Sequence, residues 1–527
     1  MAIKHVSKAV GNDSNGGTSY PGDAYATLFK GLNNVGPNDL LKVYAGDYFE
    51  TINSNTAGLT IPSGTSWSDA PLIQVNPGDT VRLLVGGGET LLNLVHAYIK
   101  YVEFDGFQFL GVNGIEESVL DNVISISSAI RVRFRNCIIR GAKGTGVFAS
   151  KGSLSAPYIT GHEFIDCQNY QNGLTFGGGQ HHGYYISTSE NLIKGGTCWG
   201  NSSFGVHMYQ SGGDVTQNNT VDGLTTHDNS QTAATSAGIL ISNGSGHKVI
   251  NCLTYDEKYG IRVGNFLCTN AKILNNIADG CLYSGFHLNS VGVAHNGTVF
   301  ENNIGSNNGQ YGLDIDASPV NTVYGYNLWY NNGLGTVRDN GTGSTDLGNN
   351  VLTDPLYTNR AGKIFTPTSS SPSIGAALTV VDVAFDINGI VRPQGVDPDM
   401  GAYEYVYPNI TNAANSTVNT SSSSVPANGM SSAIITVTLI DEGLQPVPGK
   451  TVTLDDGAAS STIGAASGPS DANGQVTFNV TNTNVEAATY TATDTTDTVV
   501  ITDTAVVTFT SVTSPGRSKS YLRRRRR

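Results

Sequence analysis

The sequence predicts an all-β protein: a right-handed parallel β-helix solenoid followed by a small β-sandwich. Three observations carry this. First, a five-residue pattern recurs as Gly183-Tyr-Tyr-Ile-Ser187, Gly205-Val-His-Met-Tyr209, Gly238-Ile-Leu-Ile-Ser242, Gly260-Ile-Arg-Val-Gly264, Gly285-Phe-His-Leu-Asn289 and Gly312-Leu-Asp-Ile-Asp316. Each unit alternates apolar and variable positions, the period of a strand with one buried face. Its glycines lie 22 to 33 residues apart, and one such unit cannot bury its apolar face alone, so the units must stack. Second, short apolar runs and Asn- or Gly-rich corners lie between the units, as in Val249-Ile-Asn-Cys252, Ile273-Leu-Asn-Asn276 and Val299-Phe-Glu-Asn-Asn303. Third, the C-terminal part switches to Thr/Val alternation, as in Ser432-Ala-Ile-Ile-Thr-Val-Thr-Leu439 and Gln475-Val-Thr-Phe-Asn-Val480.

Taken in order, residues 1–50 read as the N-terminal entry strand and capping helix. Gly11-Asn-Asp-Ser-Asn-Gly-Gly-Thr18 is turn chemistry. Ala24, Tyr25, Leu28, Phe29, Leu32 and Val35 follow helical spacing, suited to a short amphipathic helix plugging an open end. Leu41-Lys-Val-Tyr-Ala-Gly-Asp-Tyr48 reads as the first strand and turn. Residues 51–405 read as the β-helix with a closing segment, its rungs running from 94 to 333. Residues 406–424, rich in Ser, Thr and Asn, read as a linker. Residues 425–512 read as the sandwich, and 513–527, ending in Arg523 to Arg527, as a basic disordered tail.

Gly11 to Thr18, the capping helix and a strand ending Gly-Asp-Tyr48 resemble the start of the pectate-lyase-like superfamily of β-helix proteins. Asp354-Pro-Leu356, Ser371-Pro-Ser-Ile-Gly375, Asp386-Ile-Asn-Gly389, Arg392-Pro393 and Asp399-Met-Gly-Ala-Tyr-Glu404 resemble the closing segment of many secreted bacterial β-helix proteins. Pro446 to Leu454 and Asp471 to Phe478 resemble the bacterial immunoglobulin-like repeats of invasins and intimins. The resemblance implies a fold shared by lyases, hydrolases, epimerases and non-catalytic adhesins, so it does not choose a reaction. The motifs of polygalacturonases and of chondroitinase-B-like and alginate lyases are not met.

The 527 residues carry a formal net charge of −13, and only 13% are charged. The last fifteen hold seven of the 29 bases and no acid, which leaves the rest at a net of −20. An acidic body argues against nucleic acid as partner of the folded body. No run is long enough to cross a membrane, and no signal-peptide pattern follows Met1. The expectation is an extracellular protein, either secreted or cell-surface, or a virion component such as a phage tail spike or fibre, then a homotrimer. The six cysteines match no zinc spacing and read as small buried apolar residues, with Cys137, Cys167 and Cys198 spaced to stack on successive rungs.

Aligned on their glycines, the units point positions two and four inward and three and five outward. The outward columns read Tyr185, His207, Leu240, Arg262, His287, Asp314 and, beside them, Ser187, Tyr209, Ser242, Gly264, Asn289, Asp316. The catalytic candidates are His207, Arg262, His287, Asp314 and Asp316. A polysaccharide lyase needs a base and a charge neutraliser, roles open to His207 or His287 and to Arg262. A glycoside hydrolase needs two carboxyls, which Asp314 and Asp316 supply. The same pair suits Ca²⁺, a hard cation. Tyr185, Tyr209, Asn289, Trp199 and Trp329 are the substrate-binding candidates, since flat aromatic faces with polar handles suit sugar rings. The reading is a β-helix that recognises and depolymerises a polysaccharide, with a non-catalytic glycan-binding adhesin or a structural tail spike as the alternative.

Overall fold

The computed structural model describes residues 1–84, 90–96, 98–111, 122–152, 160–173, 181–209, 216–229, 236–290 and 293–512. The basic tail, 513–527, lies outside them. The chain divides into two compact units: 1–393 with 397–405, and 394–396 with the residues from 406 onward.

In the first unit the described residues form three long parallel sheets. Sheet I has 13 strands, from Ile3–Val6 to Thr345–Asp346; sheet II has 11, from Gly46–Tyr48 to Leu328–Tyr330; sheet III has 11, from Ile52–Asn53 to Gly335–Asp339. Each turn visits I, II and III and returns to I, which is a β-helix. The rungs extend well beyond 94–333, because the apolar patterns of Ile3–Val6 and Leu40–Val43 already pair in register. The capping helix is short, Leu28–Leu32, with Thr27 as N-cap. Ala24 and Tyr25 lie outside it, yet they are buried with Leu28 and Leu32. Asp13 Oδ1 accepts the N–H groups of Ala26 and Thr27, which is why the turn motif precedes the helix.

Two features fix the register. The corner from sheet I to sheet II needs a left-handed residue, and Asn136, Asp166, Asn251, Asn275 and Asn302 fill it with φ of 53°, 52°, 53°, 54° and 60°. Asn and Asp tolerate that conformation best after glycine. The glycines opening the sheet III units answer a different need. A Cβ on Gly205 would lie 2.6 Å from the Gly238 carbonyl oxygen, and one on Gly260 would lie 2.5 Å from that of Gly285. Only glycine lets the rungs approach there. Buried side-chain amides then link successive turns. Asn276 donates to Asn303 and Asn303 to Asn327 along one corner. Asn172, Asn201 and Asn229 run along another, ending on Glu257 Oε1 at 2.7 Å.

The interior is filled by inward residues of all three sheets, including the stacked rings of Phe104, Phe134 and Phe164. Cys137 and Cys167 precede paired strands and stack, whereas Cys198 falls opposite Asn169. All six cysteines are buried thiols. Phe365, Ala377, Met400 and Ala402 of the closing segment pack on Leu253, Ile277, Ile304 and Leu328 of sheet II. Within that segment Arg392 donates to Glu404 Oε2 and to the carbonyls of Asp399 and Gly401, which accounts for the Arg-Pro and Asp-x-Gly-Ala-x-Glu motifs. The segment also sets Val383 on Ile250 and Leu274 of sheet I, so it packs on the first and second sheets.

The second unit holds mainly antiparallel sheets around Val418, Ile435, Phe478, Tyr490 and Phe509, with Ser424–Pro426 pairing parallel to Ala505–Thr510. Its first strand, Thr417–Thr420, pairs with Ala433–Thr438, and Thr411 Oγ donates to Asp494 at 2.6 Å. Much of 406–424 is therefore part of the sandwich and not a linker. Its Ser and Thr residues satisfy the edge of the fold.

Candidate functional site

Sheet III stacks the outward column in register. Phe148 pairs with Tyr185, Tyr185 with His207, His207 with Leu240, Leu240 with Arg262, Arg262 with His287, His287 with Asp314, and Asp314 with Arg338. The structure thus brings His207, Arg262, His287 and Asp314 onto one face. It also divides them. Leu240 is fully buried and packs with Phe204, Ala237 and Tyr259, separating two clusters of opposite character.

The first cluster walls a cleft of about 560 Å³. Phe148, Tyr185, Phe204, Tyr209 and Phe266 supply its rings, and Asn122, Thr145 and Asn265 its polar groups. Tyr209 stacks between His207 and Phe266, while Tyr185 stacks on His182. Asn289, buried, donates to Asn265 Oδ1 at 3.1 Å, so it orients a cleft residue from the next rung.

His207 is fully engaged. The Phe204 N–H faces His182 Nδ1 at 3.5 Å, so that nitrogen bears the lone pair and Nε2 the proton. His182 Nε2–H then donates to His207 Nδ1 at 3.1 Å, and His207 Nε2–H donates to Ser242 Oγ at 2.7 Å. Burial holds His207 down to about 3 and His182 well below the ordinary histidine value. His207 is therefore a neutral structural link and not a free base. In this polarity His207 donates to Ser242 Oγ and does not serve as its base.

The second cluster is charged. Arg338 Nε donates to Asp314 Oδ1 at 2.6 Å and Nη2 to Asp316 Oδ1 at 3.1 Å. Asp316 Oδ2 also accepts the Ser290 N–H at 3.0 Å and lies 3.5 Å from His287 Nε2. Burial raises the Asp316 carboxyl, but His287, Ser290 and Arg338 outweigh it and hold the group below the usual carboxylate range. His287 is only 6% exposed and its ring stacks on Tyr259 at 4.9 Å; among the described residues its Nε2 faces Asp316 Oδ2 and its Nδ1 has no hydrogen-bond partner. Arg262 lies over the same Tyr259 ring at 5.4 Å, and burial lowers its guanidinium pKa. Arg262, His287 and Asp314 are thus largely covered, not freely exposed as the alternation implies, because Tyr259 lies against the first two and Arg338 pairs with the third.

His287, Asp314 and Asp316 bring one ligand atom each within 4.8 Å of one another. They do not fit Ca²⁺. That ion takes roughly six to eight oxygens, whereas here both carboxylates are paired with Arg338 and the third donor is nitrogen.

The two tryptophans are not part of this face. Trp329 is 1% exposed, and its ring packs on Gly305 and Gly312 inside the coil. It occupies the middle, inward position of Leu328–Tyr330. Trp199 lies on sheet II, stacked between Tyr170 at 4.0 Å and His227 at 5.8 Å. Both its faces are covered, so it offers only an edge. Sequence reasoning missed Arg338, because Thr336 stands where the other units have glycine. It missed Phe148 although Gly146-Val-Phe-Ala-Ser150 repeats the pattern, and Phe204 and Phe266 because they lie outside the strands.

Residues 172–328 match the family model of the right handed beta helix region, and residues 415–510 that of the bacterial Ig-like domain (group 1). No curated relative matches the sequence. Among solved structures the chain is similar to pectate lyase Pel9A, at 16% identity over 77% of this chain and 96% of that one, with a TM-score of 0.48. It is similar to a rhamnogalacturonan lyase at 15% identity over 68% and 91%, TM-score 0.43. A GH136 lacto-N-biosidase from Eubacterium ramulus follows at 12% over 67% and 68%, TM-score 0.40. At such identities the likeness is one of fold. The chain is a β-solenoid protein that carries a right-handed β-helix region and, C-terminal to it, a bacterial Ig-like domain.

Proposed function

We propose that the outward face of sheet III binds a polysaccharide outside the cell and that the cluster of His287, Asp314, Asp316 and Arg338 cleaves it. The observation that carries this is the cleft of about 560 Å³ walled by aromatic rings and amides, set in one file with a buried charged cluster. Rings with polar handles suit the apolar faces and hydroxyls of sugars, and a solenoid face suits an extended chain. In this reading His287, its Nε2 facing anionic Asp316 at 3.5 Å, moves the proton. Arg262 and Arg338 hold developing charge. One observation favours a second reading, binding without cleavage: Arg338 occupies both carboxylates at once.

Incubating the protein with a panel of neutral and acidic polysaccharides separates the outcomes. New ultraviolet absorbance from a C=C bond marks elimination, and new reducing ends without it mark hydrolysis. Binding with neither marks the non-catalytic reading. Neither binding nor cleavage of any member removes the proposal.

A further inference from the structure

Resting on the polysaccharide reading, we infer that the aromatic cleft takes an uncharged sugar residue and excludes an acidic one. Among the described residues that line it there is no Asp, Glu, Lys or Arg. The two imidazoles do not supply a cation either, since both nitrogens of His207 and both of His182 already face partners within the fold. A uronate or sulfate placed here would lose its water and gain no counter-charge, a cost that hydrogen bonds from Asn265, Asn122 and Thr145 do not offset.

The nearest arginine in the file, Arg262, stands two rungs past His207, about 10 Å on, behind the buried Leu240. An uncharged residue meets no such penalty. Its ring C–H faces pack against Phe266 and Tyr185, and its hydroxyls reach the amides.

The test uses the full-length protein on an array of immobilised neutral glycans and their matched uronic-acid and sulfated counterparts. The expected result is binding to a neutral glycan, at least about tenfold weaker binding to its acidic counterpart, and loss of the neutral binding in Tyr185→Ala. Phe266→Ala serves as the second variant, because Phe266 is half-exposed and its truncation leaves the coil intact; a melting curve checks both. Tighter binding of the acidic partner, lost in Tyr185→Ala, overturns this inference and leaves the polysaccharide reading standing. Neutral binding that survives both substitutions also overturns it. Absence of binding to every glycan removes the polysaccharide reading and this inference with it.

Discussion

Each residue's place in the coil decides what it can do. Trp329 and Trp199 look alike as candidates but stand at different positions of a three-residue strand. Thr197-Cys198-Trp199 and Leu328-Trp329-Tyr330 are the same strand several rungs apart, and Trp199 shares its outward column with Tyr330. Trp329→Ala empties a space inside the coil and is expected to cost about 3–5 kcal/mol, read as a lowered denaturation midpoint. Trp199→Ala removes a ring stacked in a surface ladder and should leave glycan binding unchanged. A loss of binding in Trp199→Ala at unchanged stability would move the site to sheet II. The period-2 pattern made the inward and outward sides of sheet III legible, since glycines marked its register. Sheet II has no such marker, so its tryptophans were not placed.

Among the elements, the corner ladders carry the polar interior. Asn172, Asn201 and Asn229 each donate a side-chain amide hydrogen bond to the next rung, and Glu257 takes the place of the next asparagine. Burial outweighs the Asn229 hydrogen bond and raises the Glu257 carboxyl from 4.5 to about 8. The folded chain thus keeps this proton up to about pH 8, whereas the unfolded chain releases it near 4.5. Stability is full below the lower value and falls as pH rises toward the upper one, by at most about 1.4 kcal/mol per unit. Asp399, raised to about 7 by burial and by Glu404, adds to the same decline. Glu257→Gln keeps an acceptor for Asn229 and removes the titrating group. Its stability should fall less steeply between pH 5 and 8 than that of the parent, measured by denaturant titration across that range. Equal slopes would show that Glu257 ionises freely in the fold. The Asn-rich corners were legible in the sequence, but Glu257 was not. Its role depends on a rung spacing of 28 residues from Asn229 that local patterning does not reveal.

In the whole molecule, stacking turns residues far apart in sequence into one continuous face. Tyr185 and Arg338 belong to one file of paired residues, so a function spread over many rungs needs no local motif. The solenoid was legible because its repeat is strict. The division of the column at Leu240 was not, because it depends on Phe204, which reaches the face from outside the strands, and on Tyr259 from the next rung. Much of 406–424 was misread for a related reason: short Ser/Thr-rich edge strands have the composition of linkers. The claim that sheet III is the functional face is tested most directly by the activity of Arg262→Ala and His287→Ala on the glycan that the panel identifies, with melting curves alongside. The account predicts that turnover falls at least about a hundredfold in each, with the fold retained and binding through the aromatic cleft preserved. Unchanged turnover and unchanged binding in both variants would contradict it.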